Sequence, residues 1–277
     1  MPEGDTIYRT ADVMRRTLGG DVVTTARGRA GGAQLARVIG SRPVRVSSRG
    51  KHLLIDFDNK LTLHTHLGMN GSWHRYRPGE RWRIARDRAV AVIETARATV
   101  VCFDAPTVEL LETRALPLHP VLSKLGPDLL DDDPDLIEAL ERLTSAWAQD
   151  LTIAEALIDQ RIVAGIGNVY RSEVLAHEGT SPFAIVGTLP AETLMSLLET
   201  SRQFLRANLG GGIRVTQPDT AGRLSRPGAN AFRGRRSVYR RSGRPCRRCG
   251  ELIRAATIGV PPRRVYWCPG CQPRKEA

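Results

Sequence analysis

Four cysteines near the C-terminus constrain the fold of this chain more than any other feature. They form two Cys-x-x-Cys pairs, Cys246 with Cys249 and Cys268 with Cys271, and 18 residues separate the pairs. This spacing matches a four-cysteine zinc site, in which each pair lies on a tight turn and the stretch between them forms a hairpin. A redox function is the alternative, but no thioredoxin-like βαβ pattern surrounds the cysteines. We therefore predict one structural zinc ion bound by a C-terminal β-hairpin.

The charge of the chain indicates a polyanionic partner. Its 277 residues carry a formal net charge of +12, and residues 213–248 contain eleven arginines and one acidic residue. Each phosphate that such a surface neutralises releases condensed counterions, which favours nucleic-acid binding. A generally basic proteome or a ribosomal-type protein would give the same net charge.

Targeting and membrane signals are not found in the sequence. No apolar run approaches the ~20 residues of a membrane span. The N-terminal residues lack the basic start and apolar centre of a secretory signal. We expect a cytoplasmic, nucleoid-associated monomer that does not bind membranes.

The order of predicted elements gives an α+β, multidomain fold. Residues 1–123 read as a leading helix followed by an antiparallel β-sandwich, because short runs rich in β-branched residues follow the helix. Residues 124–235 read as a helical domain followed by a Gly- and Arg-rich loop over 210–236, and residues 236–277 as the zinc hairpin. The predicted helices are 6–18, 137–148, 152–160, 168–179 and 191–207, and the predicted strands are 22–28, 44–50, 52–57, 61–68, 89–95 and 99–103.

The motif AGIGNVYRSE, residues 164–173, lies between two predicted helices. Gly165 and Gly167 permit a tight turn, and Asn168 stands at the start of the following helix. Exposed amides and the positive end of a helix bind phosphate well. The alternative is an ordinary helix–turn–helix corner that Asn168 caps.

The N-terminus offers a nucleophile. Removal of Met1 would leave Pro2 with a free secondary amine, and an α-amino group has a pKa of roughly 8. Condensation of this amine with a sugar aldehyde gives an iminium ion, which acidifies the neighbouring carbon and permits elimination. Glu3 could carry the protons that these steps require. Met-Pro-Glu by itself is common and predicts little.

Taken together, these motifs resemble the formamidopyrimidine-DNA glycosylase/endonuclease VIII (Fpg/Nei) family. The similarity covers almost the whole chain in the same order: PEG at 2–4, RGKHLL at 49–54, HLGMNG at 66–71, LGPD at 125–128, GIGNVY at 165–170 and the cysteine hairpin with Arg263. It implies a helix–two-turn–helix domain and a bifunctional DNA glycosylase and abasic-site lyase of base excision repair. The damaged base would be flipped out of the duplex, and phosphate contacts would hold the bent DNA.

The resemblance also implies roles at the reaction centre. Pro2 would form a Schiff base with the deoxyribose, and β/δ-elimination would follow. Glu3 would be its acid–base partner. Lys51 would contact the phosphate beside the lesion, with His66 in support. Lys51 as a solvated charge and His66 as a core histidine are the structural alternatives.

Three further residues would bind damaged DNA if the resemblance holds. Asn168 and Arg263 would each hold a phosphate, and Met69 would fill the gap that the flipped base leaves. Packing of Met69 in the hydrophobic core is the alternative to this wedge role.

Two departures from the family pattern bear on the substrate. Many relatives have a second glutamate where this chain has Thr6, and the branch that acts on guanine lesions has an Arg- and Phe-containing stretch where residues 104–109 read DAPTVE. Met69 resembles that branch, whereas PEG and YWCPGCQ resemble endonuclease VIII. The balance favours oxidised pyrimidines. The alternatives are a purine-lesion (8-oxoguanine or formamidopyrimidine) glycosylase, a non-catalytic relative that binds damaged DNA, and a zinc-ribbon translation or transcription factor.

Overall fold

A computed structural model describes residues 2–28, 34–212, 214–216 and 236–274. The chain divides into two compact units, Met1–Lys124 and Leu125–Ala277. The Gly- and Arg-rich loop predicted over 210–236 lies mostly outside the described residues. None of the helices in the described ranges is both long and apolar enough to cross a membrane.

The first unit is a helix followed by an antiparallel β-sandwich. The helix is α1 (Gly4–Leu18), and the strands form two four-stranded sheets with the orders β1-β6-β7-β5 and β2-β3-β4-β8. The eight strands are β1 (Val23–Gly28), β2 (Pro43–Arg49), β3 (His52–Phe57), β4 (Leu61–His66), β5 (Ser72–Tyr76), β6 (Ala89–Thr95), β7 (Thr99–Phe103) and β8 (Thr107–Glu112). The predicted sandwich with a leading helix is confirmed.

The two faces of β3 and β4 differ in chemistry. Ile55 and Leu63 are completely buried and pack with Ile7 of α1 and Val100 of β7 in one hydrophobic core. Successive side chains of a strand alternate between faces, so the residues between these apolar positions lie on the opposite side of the sheet. That side carries the histidines of both strands.

Over its described residues, the second unit contains four α-helices and one β-hairpin. The helices are α2 (Leu136–Leu143), α3 (Ile153–Ala156), α4 (Asn168–His177) and α5 (Ala191–Ala207), and β9 (Arg254–Ile258) pairs antiparallel with β10 (Arg263–Trp267). Val265 of β10 is buried in the same hydrophobic core as Val174 of α4 and Leu197 of α5. The helical domain and the hairpin therefore share a core.

Two predicted helices are shorter in the structure. The helix predicted over 137–148 is α2, which ends at Leu143, and the one over 152–160 is α3, which ends at Ala156. The capping box that opens α3 is present: Thr152 Oγ1 accepts from the Glu155 backbone N–H, and the Glu155 carboxylate accepts from the Thr152 N–H. Strands β5 and β8 were not predicted, because neither has a run of β-branched apolar residues.

Candidate functional site

The N-terminus is fixed by the start of α1. Glu3 is the N-cap residue with extended backbone, and its carbonyl accepts from the Thr6 and Ile7 amides at 2.8 and 3.1 Å. The Glu3 residue is completely buried, and Pro2 beside it is half-buried. The structure thus places a buried carboxylic acid next to the proposed nucleophile on a rigid element.

Thr6 occupies the position of the second glutamate of many relatives. Its hydroxyl lies 3.4 Å from a carboxylate oxygen of Asp5, and Asp5 also forms an ion pair with Arg9 at 3.4 Å. A threonine hydroxyl is too weak an acid or base for proton transfer near neutral pH. Any such step in this unit therefore falls to a group other than Thr6.

Lys51 lies in the two-residue turn that joins β2 and β3. Arg49 and His52 form the last pair of this hairpin, and Gly50 has a φ of 57°. This left-handed conformation favours glycine and suits a tight hairpin turn. The sequence Gly-Lys therefore presents Lys51 at the end of two paired strands, where it is half-buried.

His66 ends β4 and is paired with His52 of β3. It is half-buried, and burial followed by the charge of Lys51 lowers its pKa below the usual value of 6.5. His66 is thus on the edge of the polar face rather than in the hydrophobic core.

Met69 lies in the tight loop after His66. The Gly71 amide donates to the Leu67 carbonyl at 2.8 Å, and a Cβ on Gly71 would lie only 2.4 Å from that oxygen. Only glycine fits this turn. Met69 is 60% exposed, which excludes the core-packing alternative.

A glutamine in the second unit shapes the turn before α4, and the sequence did not reveal it. The side-chain oxygen of Gln160 accepts from the Gly165 amide at 3.0 Å, and its amide group donates to the Ile166 carbonyl at 3.0 Å. Gly165 has a φ of 105°, which requires glycine. The Gln160 side chain thus binds the backbone of two successive residues of this turn, Gly165 and Ile166.

Asn168 is the first residue of α4, and Gly167 is the N-cap. The alternative in which Asn168 caps the helix is therefore wrong. Its side-chain oxygen instead accepts from the guanidinium of Arg171. Asn168 is half-buried at the positive end of the helix, the position at which a phosphate is favoured.

Arg171 ties this turn to the hairpin. It is completely buried and also donates to the carbonyls of Ala154 and Arg264, each at 3.1 Å. Arg264 is the neighbour of Arg263, which is exposed at the start of β10. The buried guanidinium therefore fixes Asn168 and the backbone beside Arg263 within one unit.

Glu173 is a second buried charge that the sequence pattern did not single out. Its carboxylate accepts from the Thr216 hydroxyl at 2.5 Å and from the backbone amides of Ser237, Val238 and Tyr239 at 2.7–2.9 Å. Because α4 supplies this carboxylate, it fixes the residues on both sides of the segment 217–235. One indication of its role is present in the sequence: Glu173 is an acidic residue next to the apolar run Val174–Ala176 of the predicted helix.

The four C-terminal cysteines form a cluster that could bind a metal ion. The sulfurs of Cys246, Cys249, Cys268 and Cys271 all lie within 4.8 Å of one another. The Arg248 amide points at the Cys246 sulfur at 3.4 Å, as expected for a thiolate acceptor in a tight knuckle. Four soft sulfur donors at this separation suit a tetrahedral metal ion.

Comparison with known proteins identifies the family. Residues 1–107 match the formamidopyrimidine-DNA glycosylase N-terminal domain, and residues 125–218 match the formamidopyrimidine-DNA glycosylase H2TH domain. The chain therefore belongs to the Fpg/Nei family, and its enzyme class is that of DNA glycosylases and DNA-(apurinic or apyrimidinic site) lyases.

Several curated relatives match over almost their whole length. The chain is 38% identical to probable endonuclease 8 2 of Streptomyces coelicolor, over 98% of this chain and 94% of the relative. It is 37% identical to the DNA-(apurinic or apyrimidinic site) lyase Nei2 of Mycolicibacterium smegmatis, over 98% of this chain and 99% of that relative. It is 33% identical to endonuclease 8 of Escherichia coli, over 98% and 100%.

Solved structures share the fold. A Lactococcus lactis formamidopyrimidine-DNA glycosylase bound to DNA with an abasic site superposes with a TM-score of 0.79 at 20% identity, covering 98% of this chain and all of that one. MutM in complex with DNA that contains carbocyclic 8-oxoguanine superposes with a TM-score of 0.81 at 21% identity, covering 99% of this chain and 100% of that one. At these identities the likeness establishes the architecture alone.

Proposed function

We propose that this protein removes oxidised pyrimidines from damaged DNA and then cleaves the strand, with Pro2 as the nucleophile. The observation that carries the proposal is the start of α1, where the buried Glu3 is held beside Pro2. With Met1 removed, Pro2 supplies a secondary amine and Glu3 a carboxyl group, which are the two groups that imine chemistry at a sugar requires.

The chemistry follows from these two groups. Once Met1 is removed, the Pro2 amine attacks C1′ and the bond from C1′ to the base breaks, and the amine hydrogen neutralises the departing base. The Glu3 carboxyl gives a proton to O4′ as the sugar ring opens to an iminium, which acidifies the C2′ hydrogen. The Glu3 carboxylate takes this hydrogen as the bond from C3′ to the 3′ phosphate oxygen breaks, and loss of the C4′ hydrogen to water then breaks the bond from C5′ to the 5′ phosphate oxygen. Water then hydrolyses the imine and releases Pro2.

Five further residues are proposed to bind the DNA. Lys51 and His66 lie at one end of the β2–β3–β4 sheet and would hold the phosphate beside the lesion. Met69 is exposed on a rigid loop, as a side chain that replaces a flipped base must be. Asn168 and Arg263 would bind phosphates from the second unit, where Arg171 fixes both neighbourhoods.

Zinc is the proposed ion of the four-cysteine cluster. Cys246, Cys249, Cys268 and Cys271 would hold it, and its role would be structural, to link the two Cys-x-x-Cys turns on either side of the β9–β10 hairpin. Arg263 lies on that hairpin, so removal of the metal should weaken DNA binding. Affinity measured by fluorescence anisotropy should fall after chelation and return with added zinc. Equal affinity of metal-free and zinc-loaded protein would contradict the role of Arg263.

The proposed preference for pyrimidines rests on the names of the relatives and on the absence of two residues, an Arg and a Phe, that the guanine-lesion branch has. Three relatives named endonuclease 8 or Nei2 align over nearly their full length. The stretch at 104–109 also lacks the Arg and Phe of the guanine-lesion branch. Excision rates on duplexes with a single thymine glycol, 5-hydroxycytosine or 8-oxoguanine test this proposal. Faster release of 8-oxoguanine than of both pyrimidines would overturn it.

A further inference from the structure

The polar face of β3, β4 and β8 carries a connected group of histidines, which we name the histidine array. It consists of His52 on β3, His64 on β4, Glu109 on β8 and His119, which follows a 3₁₀ segment (Thr113–Leu118). His52 and His64 are 6% and 1% exposed, and the side chain of His119 is 9% exposed. Three imidazole rings out of water are costly to maintain unless their nitrogens form hydrogen bonds.

Their hydrogen bonds determine which ring nitrogens carry protons. His64 Nδ1 lies 2.8 Å from Glu109 Oε2, and a carboxylate can only accept, so this nitrogen carries the proton. His64 Nε2 is then the acceptor of a neutral ring. It lies 2.8 Å from His52 Nδ1, which must therefore be the donor. Hydrogen-bond donation thus runs in one direction, from His52 to His64 and from His64 to Glu109.

His119 is oriented in the opposite sense. Its Nδ1 accepts from the backbone amides of Val121 and Leu122 at 3.2 and 3.1 Å, so its Nε2 carries the proton and donates to Glu109 at 3.1 Å. Although His64, Glu109 and His119 are close enough to bind a cation, both histidine nitrogens that face Glu109 carry a hydrogen. Those nitrogens have no lone pair for a metal.

The charges of the array agree with this arrangement. Burial lowers the pKa of His64 by more than the hydrogen bond to Glu109 raises it, so the ring is neutral near pH 7. Burial, with smaller contributions from neighbouring histidines and Lys51, lowers the pKa of His52 to about 3. Burial opposes ionisation of Glu109, but the hydrogen bonds from His64 and His119 outweigh it and lower its pKa. The array therefore joins one carboxylate to two neutral rings, His52 and His64, and to His119, whose Nδ1 is a hydrogen-bond acceptor.

One end of the array reaches the residues proposed to bind the lesion phosphate. His52 directly follows Lys51 in the chain, and its ring centroid lies 4.8 Å from that of His66, its partner in the β3–β4 register. A ring that is held by His64 on one side and packed on His66 on the other cannot rotate without breaking the chain of hydrogen bonds.

We propose that His52, His64 and Glu109 are positioning residues that hold Lys51 and His66 in place for the lesion phosphate. This inference rests on the proposed function. The array does so without adding positive charge beside Lys51, because His52 and His64 are neutral and oriented by one partly exposed carboxylate. A phosphate-binding lysine on a two-residue turn needs such support, since misplacement by about 1 Å can lower a rate by about a hundredfold.

Imidazole ¹⁵N chemical shifts test the orientation of the rings directly. In the zinc-loaded protein near neutral pH, His52 and His64 should be protonated at Nδ1 and His119 at Nε2. Glu109→Gln should alter the His64 signals, whereas Glu112→Gln on the same strand should not. Protonation of His64 at Nε2 in the wild-type protein would overturn the inference.

Cleavage rates test whether the array acts on the reaction. His64→Phe keeps the ring volume but removes both hydrogen bonds, and it should lower single-turnover cleavage of abasic DNA about tenfold to a hundredfold. His64→Gln retains a donor and an acceptor and should recover part of that loss. Glu112→Gln should cleave at the wild-type rate. A folded His64→Phe protein with the wild-type rate would overturn the inference.

Zinc content distinguishes a positioning role of the array from a second metal site. Cleavage by the wild-type protein distinguishes failure of this inference from failure of the proposed function. One zinc per chain in both the wild type and His64→Phe is expected. Two per chain, with one lost in His64→Phe, would overturn the positioning role in favour of a metal. Failure of the wild type to cleave abasic DNA would instead refute the proposed function, while the ¹⁵N shifts would still decide the array.

Discussion

Replacement of Glu173 by glutamine should destabilise the second unit strongly. Glu173 is completely buried and accepts four hydrogen bonds, two at each carboxylate oxygen. Glutamine keeps one oxygen and puts an N–H₂ group where the other was. The N–H₂ group fits best at the oxygen shared by Thr216 and Ser237, because the Thr216 hydroxyl can reverse whereas the Ser237 amide cannot. One hydrogen bond to a charged group is then lost, and its amide donor stays buried against the N–H₂ group, so the expected cost is about 2–3 kcal/mol.

Glu178→Gln is the matched control. Glu178 follows α4 and accepts from the hydroxyls of Ser196 and Thr200 at 2.8 and 2.6 Å. A hydroxyl can rotate to accept from an amide N–H₂ group, so this change should cost only about 1 kcal/mol.

Urea unfolding and hydrogen exchange would measure both effects. The Glu173→Gln protein should unfold at lower urea, and the amides of Val238 and Tyr239 should lose protection against exchange. The reasoning is refuted if Glu173→Gln costs no more than Glu178→Gln, or if the two amides keep their wild-type protection.

Three further predictions, tested with four substitutions, concern other parts of the molecule. Because burial lowers the pKa of His52 from 6.5 to about 3, the unfolded chain binds a proton in that window that the folded chain does not. Stability against urea should therefore fall as pH decreases below about 6.5, and His52→Asn should flatten this dependence. Gly71→Ala places a Cβ 2.4 Å from a backbone carbonyl oxygen that cannot move aside, and it should cost about 3 kcal/mol in thermal denaturation, more than its control. Gly79→Ala has open space at a φ of 77° and should cost about 1–2 kcal/mol from backbone strain alone; equal losses would argue against the clash. Lys51→Ala should reduce cleavage of abasic DNA with an unchanged circular dichroism spectrum, and undiminished turnover would remove Lys51 from the site.

Strands with β-branched runs were predictable almost to the residue. The predicted strands 52–57, 89–95 and 99–103 coincide with β3, β6 and β7, because their alternation or continuous apolar character is local information. Strands β5 (SWHRY) and β8 (TVELLE) were not predicted, because they form strands by pairing with β7 and β4, which are distant in the sequence. Similarly, α3 ends at Ala156, and the amides of Ile158 and Asp159 bond three residues back rather than four, which the apolar spacing does not reveal.

The residues of the candidate site likewise fall into those that local sequence patterns indicate and those that depend on contacts far along the chain. Motif residues such as Lys51, Asn168 and the cysteines were found from local patterns and from resemblance. Arg171 and Glu173 lie inside one of those motifs, but their importance depends on burial and on partners far along the chain. The histidine array was missed because its members come from four separate segments: strand register brings together His52, His64 and Glu109, and a hydrogen bond from outside the sheet adds His119.

The central claim is that the Pro2 amine forms an imine with damaged DNA, and borohydride trapping tests it most directly. Untagged protein incubated with duplex DNA that contains one abasic site should give a covalent adduct, and peptide mapping should locate it on Pro2. Protein with extra residues before Pro2 should bind the same DNA but give no adduct. An adduct on a lysine, or equal trapping by the extended protein, would contradict the account.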